Sequence, residues 1–298
     1  MKYENALFLF NGNAGNRDLE QKLSQTLPIL SQSIKQITVL KTQTINELKD
    51  GCVAYASEVE LIIIMGGDGT VHECINSIAE LEIRPIIAIL PAGTCNDFSR
   101  MLRIPQNLRQ AAEAIVNGEI IPIDLGKTDN WYFLNFWGIG LVADTSLNIN
   151  ETQKRSLGVL SYFMSSIKTV TQSEPFSYKM KTDVETYEGE AVMLVVLNGG
   201  FIGTRQIPIP SIRSDDGFFD ILIVKNSTLA SFKELIMLDQ PNNNLDQLSE
   251  LIYFQAKELT ISTDPTKTID MDGEINGMTP SELSILPGHI QMIKGSSG

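Results

Sequence analysis

Histidine is nearly missing from this chain: only His72 and His289 occur in 298 residues. A metal centre or nucleophile site built on imidazole has too little to draw on. Cysteine is almost as sparse. Cys52, Cys74 and Cys95 show no CxxC spacing and leave an odd one, which argues against both a disulfide framework and a zinc site. No apolar run reaches the ~18–20 residues that a spanning helix needs. The early run Ala6-Leu7-Phe8-Leu9-Phe10 is too short for a signal peptide, and no small-residue cleavage site follows it. A cytoplasmic protein is therefore expected. Basic residues are outnumbered, 23 Lys and Arg against 36 Asp and Glu, giving a net charge of −13. That balance excludes nucleic acid as the expected partner. It also opposes attraction to an anionic membrane unless a local patch overrides the average. Phe98 to Ala112 is such a patch, with Arg100, Arg103 and Arg109 and no acid.

What is present is an ordinary globular composition, 43% hydrophobic and 20% charged, long enough for one large domain or two ordinary ones. The stretch that orders the rest is Ile62-Ile63-Ile64-Met65-Gly66-Gly67-Asp68-Gly69-Thr70-Val71-His72-Glu73. Leu61 to Met65 is an unbroken apolar run, the pattern of a strand buried on both faces. Gly66, Gly67 and Gly69 then permit a tight turn. From Thr70 to Leu81 apolar residues recur at helical spacing. A strand, a glycine turn and a helix start place free N–H groups and a positive dipole end at the strand tip, a site suited to phosphate. Taken alone, the glycines are equally well explained as a tight strand-to-helix turn. His72 falls in that helix and reads as a surface or capping residue.

Two further turns of this kind flank it. Leu7 to Phe10 reads as a buried strand, followed by Asn11-Gly12-Asn13-Ala14-Gly15-Asn16 and then helical spacing at Leu19, Leu23, Leu27 and Leu30. Ile37 to Leu40 is strand-like, and Thr42-Gln43-Thr44 can cap the next helix. Pro85 to Leu90 is another apolar strand, ending in Pro91-Ala92-Gly93-Thr94-Cys95-Asn96-Asp97-Phe98. Strands alternating with helices predict βαβ units and a parallel sheet, whose ligands bind at the carboxyl ends of the strands. Turns 11–16, 66–70 and 93–97 all fall at such ends and converge on a nucleotide site.

After Ile123-Asp124-Leu125-Gly126 the pattern changes. Trp131 to Trp137, Phe176 to Thr182, Ala191 to Asn198, Phe218 to Val224, Glu258 to Ser262 and Thr268 to Met271 are short β-prone runs bounded by turn residues. They predict antiparallel β structure, a sandwich or barrel. Two helical stretches interrupt it, Leu157 to Val170 and Leu229 to Met237. The expected division is an α/β nucleotide-binding domain over 1–126, with about 285–298 returning to it, and a β-sandwich acceptor domain over 127–284.

Carboxylates stand beside glycine in four places: Asp68, Asp97, Asp215-Asp216-Gly217 and Asp272-Gly273-Glu274. Each alone is an ordinary turn former. Together with phosphate turns they supply what phosphoryl transfer needs, namely amides for the phosphates, carboxylates for Mg²⁺ and a carboxylate to accept the hydroxyl proton.

The set Gly66-Gly67-Asp68-Gly69-Thr70-Val71-His72-Glu73, Pro91 to Phe98, Asp215 to Asp220 and Asp272-Gly273-Glu274 resembles the diacylglycerol-kinase catalytic family, which includes bacterial soluble lipid kinases and is related to sphingosine kinases. The resemblance runs over nearly the whole chain, in order. It implies an N-terminal α/β domain of the NAD-kinase and phosphofructokinase kind, a C-terminal β-sandwich and an ATP site in the cleft between them. It implies that Asn11, Gly12, Asn13, Ala14, Gly15, Thr42, Gly66, Gly67, Asp68, Gly69, Thr70, Val71, His72, Glu73, Thr94 and Asn96 line the ATP. It implies Glu274 as the base, supported by Asp272, with Asp68 and Asp97 organising the catalytic Mg²⁺. Asp216, with the carbonyls of Arg213 and Phe218, matches a structural Mg²⁺ site to which Asp124 is linked through water. Lys154 to Gly158 and the helix after it resemble the lipid-side segment, though an ordinary packing helix explains them as well.

Two departures stand out. The family's first turn is usually Asn-Pro-x-Ser-Gly followed by Lys or Arg, whereas here the basic residue comes one place later, as Arg17. Phe201 to Arg205 replaces part of a glycine-rich turn after Asn198-Gly199-Gly200. The reading that follows is an ATP- and Mg²⁺-dependent lipid kinase, acting on diacylglycerol by transient peripheral docking on a membrane, with a homodimer left open. The alternatives are a soluble-acceptor kinase of the NAD-kinase type and a catalytically weakened nucleotide- or lipid-binding regulator.

Overall fold

The computed structural model describes residues 2–12, 19–148, 174–237 and 248–296. The chain forms two compact units, one of residues 1–123 with 288–298 and one of residues 124–287.

The first unit is a parallel α/β layer. Its strands are β1 (Tyr3–Asn11), β2 (Ile34–Thr42), β3 (Leu61–Gly66) and β4 (Ile86–Pro91), in the order β2-β1-β3-β4. All the pairings are parallel. Leu61 to Ile64 are fully buried, as continuous apolar runs in a doubly covered sheet must be. The helices are α1 (Leu19–Leu30), α2 (Ile45–Tyr55), α3 (Asp68–Ile78), α4 (Asp97–Met101) and α5 (Leu108–Asn117). α1 packs with α5, and α2 with α3. Thr44 caps α2, its hydroxyl accepting from Glu47 N at 3.1 Å, and Asn107 caps α5 by accepting from the amides of Arg109 and Gln110.

The chain leaves this unit within β5 (Glu119–Lys127) and returns within β18 (Ser281–Lys294). The returning part pairs parallel with β4 through Met292 and Ile87. Ile290, Met292 and Ile293 are fully buried.

The second unit is an antiparallel sandwich. One sheet runs β14 (Leu251–Ala256), β13 (Phe219–Val224), β10 (Met193–Leu197), β7 (Phe136–Gly140), β16 (Thr268–Met271), β17 (Glu274–Met278). The other runs from the start of β18 through β15 (Glu258–Asp264) and β8 (Phe176–Thr182) to β9 (Thr186–Ala191). β6 (Tyr132–Phe133) pairs with the end of β5, and β11 (Phe201–Ile202) with β12 (Arg205–Gln206). α6 (Leu141–Asn148) follows β7, and α7 spans Leu229–Met237. The core alternates as a half-buried sheet should: on β8, Phe176, Tyr178 and Met180 point in while Ser177, Lys179 and Lys181 point out. Trp137, Phe133 and Phe219 fill its centre, with the two phenylalanine rings stacked at 5.6 Å.

The expected fold class, α/β followed by an antiparallel sandwich, is what the chain adopts. Strands β5, β9, β11, β12, β14, β17 and β18 fall outside the expected runs, and three of them are sheet edges. β9 is the polar edge Thr-Tyr-Glu-Gly-Glu-Ala, and β14 and β17 are also edges. An edge strand needs only one partner and half the burial, so alternation is weak there. The Leu157–Val170 helix and the Lys154–Gly158 segment lie outside the described residues. No helix among the described residues is long and apolar enough to cross a membrane.

Gly126 lies flat against the Phe133 ring, and a Cβ there would stand 2.2 Å from Cζ of a fully buried side chain. Gly126→Ala is expected to destabilise the sandwich by about 1–3 kcal/mol, the usual overpacking penalty, read as a lower urea midpoint with an unchanged slope.

Candidate active site

The strand tips of the first unit end level. Asn11 pairs with Thr42, Phe10 with Met65, and Gly66 with Pro91. Two backbone bonds continue the ladder past the tips, Gly12 N to Thr42 O at 2.7 Å and Ala92 N to Gly66 O at 2.9 Å. Thr42 is buried, and its hydroxyl donates to Phe10 O at 3.3 Å.

Past β3 and β4 the two turns touch backbone to backbone. A Cβ on Gly93 would lie 2.3 Å from Gly67 Cα, and one on Gly67 would lie 2.9 Å from Gly93 Cα. Neither position has room for a side chain. Gly67 is also the N-cap of α3, in an extended conformation with no side-chain cap. The first amides of α3 thus lack the acceptor that Ser, Thr, Asp or Asn would supply at that position. Asn96 clamps the second turn in the left-handed region, at φ 54°. Its Oδ1 accepts from Gly93 N at 2.9 Å, and its Nδ2 donates to Gly93 O at 3.2 Å and Gln106 Oε1 at 3.1 Å. Asp68 spans the two turns, its Oδ1 accepting from Phe98 N at 3.4 Å. Asp97, beside it, is buried, and Thr94 is exposed.

Gly69 and Thr70 are partly open in the first turn of α3. Val71 and His72 turn inward, 3% and 1% exposed. His72 is therefore a core residue and not the surface or capping residue expected: it falls in the buried set Val71, His72, Cys74, Ile75 and Ile78 of α3. Glu73 pairs with Lys49 of α2 at 2.5 Å. Asn13, Ala14, Gly15 and Arg17 lie outside the described residues.

In the second unit the turn Asp272-Gly273 closes the β16–β17 hairpin in left-handed conformations, φ 56° and 91°. The Asp272 carboxylate accepts from three consecutive amides, Leu134 at 2.9 Å, Asn135 at 2.8 Å and Phe136 at 3.0 Å. Such a carboxylate is a clamp, since charge-assisted bonds to backbone N–H groups are the strong ones. Gly273 N donates to the buried Asp270 at 2.8 Å. Glu274, one residue on, is exposed at the start of β17.

A second clamp gathers the other acidic turn. Asp124, 2% exposed, accepts from Gly217 N at 2.7 Å, and its own N donates to Ser214 O at 2.7 Å. Asn198, fully buried, donates to Asp124 O at 2.8 Å and Leu134 O at 2.7 Å, linking the two clamps. Asp216 accepts from Phe218 N at 3.1 Å. Burial raises its carboxyl above the usual range despite that bond, and the nearby Asp124 charge adds to the rise. The Arg213 guanidinium is engaged by Asp215, at 2.9 and 3.3 Å, leaving its carbonyl as its contribution on this side. Two neighbouring carboxylates that repel one another, with carbonyls close in sequence, fit a hard divalent cation. Among the described residues no group of three or more His, Cys, Asp or Glu side chains is placed to hold a metal, and this set does not require one.

Sequence reasoning gave no role to Asn135, Asp220 or Asp270. Asp220 is fully buried, its carboxyl pushed up to about 6 by desolvation against bonds from Tyr253 and Gln255. Its place on β13, in an otherwise apolar run, is the signal that was there to find.

Residues 5–128 match the diacylglycerol kinase catalytic domain, and residues 138–294 match the YegS C-terminal NAD kinase beta sandwich-like domain. A Staphylococcus aureus (strain MRSA252) protein, provisionally named a lipid kinase, is 30% identical over 98% of this chain and 97% of its own. A crystal structure from Bacillus anthracis str. Sterne, provisionally named a diacylglycerol kinase, superposes with a TM-score of 0.89 at 40% identity, covering 99% of this chain and 96% of that one. Another from the same strain, named a diacylglycerol kinase, gives 0.82 at 36% identity, covering 99% and 98%. These matches define an enzyme of the lipid-kinase class. The chain belongs to the diacylglycerol kinase catalytic family.

Gly93→Ala must drive the two turns apart, because the obstructing atom is backbone. The expected result is faster hydrogen exchange of amides 67–71, with amides of the sandwich unchanged.

Proposed function

We propose that the protein transfers the γ-phosphoryl group of ATP to a lipid hydroxyl, diacylglycerol giving phosphatidic acid. The observation that carries this reading is the contact of Gly67 with Gly93, which brings two side-chain-free turns together at level strand tips. Phosphate oxygens need close approach to backbone amides, and a Cβ at either position would push apart the two turns that carry them. Asn11 to Gly15, Thr42, Gly66 to Glu73, Thr94 and Asn96 form the nucleotide-binding set. Val71 and His72 serve it from within, by packing α3.

The lipid hydroxyl oxygen attacks the γ-phosphorus, the bond from that phosphorus to the β–γ bridging oxygen breaks, and ADP leaves. Glu274 accepts the hydroxyl proton; its exposure keeps the carboxylate accessible. Asp272 is a positioning residue, fixing the hairpin turn against residues 134–136. Mg²⁺, when bound, neutralises phosphate charge as the transferred group moves. Asp68 and Asp97 are the residues that would hold it near the phosphates, and Asp216 with the carbonyls of Arg213 and Phe218 would hold a second, structural ion, to which Asp124 would be linked through water.

The test is transfer of label from γ-labelled ATP into a lipid extract, with glycerol and NAD as soluble acceptors in parallel. Wild type is expected to label lipid and Glu274→Ala to lose about 10²–10⁴-fold. Label in a soluble acceptor alone, or full activity in Glu274→Ala, overturns the reading.

The substrate lies in a membrane, so docking is transient. Arg103 is exposed and Arg100 half-buried, its Nε donating to Cys95 O at 3.0 Å. Reversing both charges is expected to reduce co-sedimentation with anionic liposomes several-fold at low salt and to have little effect on neutral ones.

A further inference from the structure

We propose that Lys41 is a nucleotide-phosphate anchor, delivered across Gly12 from the neighbouring strand. This rests on the ATP-binding reading above. Lys41 is the penultimate residue of β2 and pairs with Phe10; Thr42 and Asn11 then pair at the tips. Its side chain crosses from β2 over the end of β1. A Cβ on Gly12 would stand 2.1 Å from Lys41 Cε, 3.0 Å from Cγ and 3.1 Å from Cδ. The lysine stem therefore occupies the space that any side chain at position 12 would take. Gly12 is buried while Lys41 is exposed, the arrangement of a side chain that lays its methylenes on a surface and keeps its ammonium in water.

The charges nearby say what that ammonium is for. Lys49, on the adjacent helix α2, is held by Glu73 at 2.5 Å. Arg100, after the Gly93 turn, has its Nε on Cys95 O. The Lys41 side chain makes no ion pair or hydrogen bond with the described residues and stands where β1 gives way to its turn. In a chain of net charge −13, a triphosphate approaching these tips meets Asp68, Glu73 and Asp97 as well as amides. A mobile point charge that reaches the tips offsets that repulsion, and lysine is suited to phosphate in that way. Gly12 and Lys41 thus act as a pair: the glycine provides the track and the lysine the charge.

The experiment measures binding rather than turnover. Displacement of a fluorescent ATP analogue gives Kd for ATP and for adenosine in wild type, Lys41→Met, Lys41→Arg, Gly12→Ala and the Gly12→Ala/Lys41→Met double variant. Lys41→Met is expected to weaken ATP about tenfold, the size of one charge-assisted contact in an open site, and to leave adenosine unchanged. Lys41→Arg should retain most of the ATP affinity. Gly12→Ala displaces the stem and should weaken ATP in the same direction, with little further loss in the double variant. ATP binding by wild type that Lys41→Met does not alter overturns this assignment alone. An equal loss for ATP and adenosine also overturns it, because the lysine would then be structural. Failure of wild type to bind ATP overturns the kinase reading and this assignment with it.

Discussion

The first unit depends on two α-carbons that meet with nothing between them. Gly67 ends one strand-to-helix turn and Gly93 begins another, and the room for a Cβ on either is taken by the other's backbone. Everything near the strand tips answers to that contact. Asn96 adopts a left-handed conformation to hold Gly93, Asp68 reaches over to the start of α4, and Gly66 is roofed by Thr70. The parallel register of β1 to β4 brings the tips level, so the turns meet at one height. At the start of α3, Gly67 offers no side chain to cap the first amides.

The second unit solves a different problem. It must hold exposed and half-buried carboxylates at fixed places in an antiparallel sandwich, and it does so largely by bonding carboxylates to backbone amides. Asp272 collects three amides, Asp124 one, and Asn198 ties the two groups through carbonyls. Each such bond to a charged group contributes about 1.5–3 kcal/mol. The cost is concentrated at Asp216, where burial and a neighbouring charge resist ionisation.

Much of this was legible in the chain. The Leu61–Met65 run and its glycines mark β3, the turn and α3, because a doubly covered strand admits few polar residues. Phe176–Thr182 and Thr268–Met271 are strands to the residue, and Leu229–Met237 is a helix. The edge strands of the sandwich were not legible: β9, for one, alternates nothing apolar. His72 was misread because one imidazole in a helical run looks the same from either face; only the tertiary packing, which buries it to 1% exposure, decides. The Asp272 clamp has no local signature at all. Its partners lie more than 130 positions away, and an Asp beside a glycine reads as a turn former. The Gly12–Lys41 contact is hidden for the same reason: it joins neighbouring strands, not neighbouring residues.

The strand that re-enters the first unit has a bearing on how the protein is made. Residues 288–294 lie against β4, Arg84 Nε donates to His289 O at 3.1 Å, and Gly295 N donates to Leu102 O at 2.9 Å. Without them the open side of β4 has apolar surface and unpaired backbone groups. During synthesis the first unit therefore waits, unfinished, until all of the second unit has emerged. The early half is the last to be completed, and a ribosome that stalls after residue 128 releases a sheet with one edge bare.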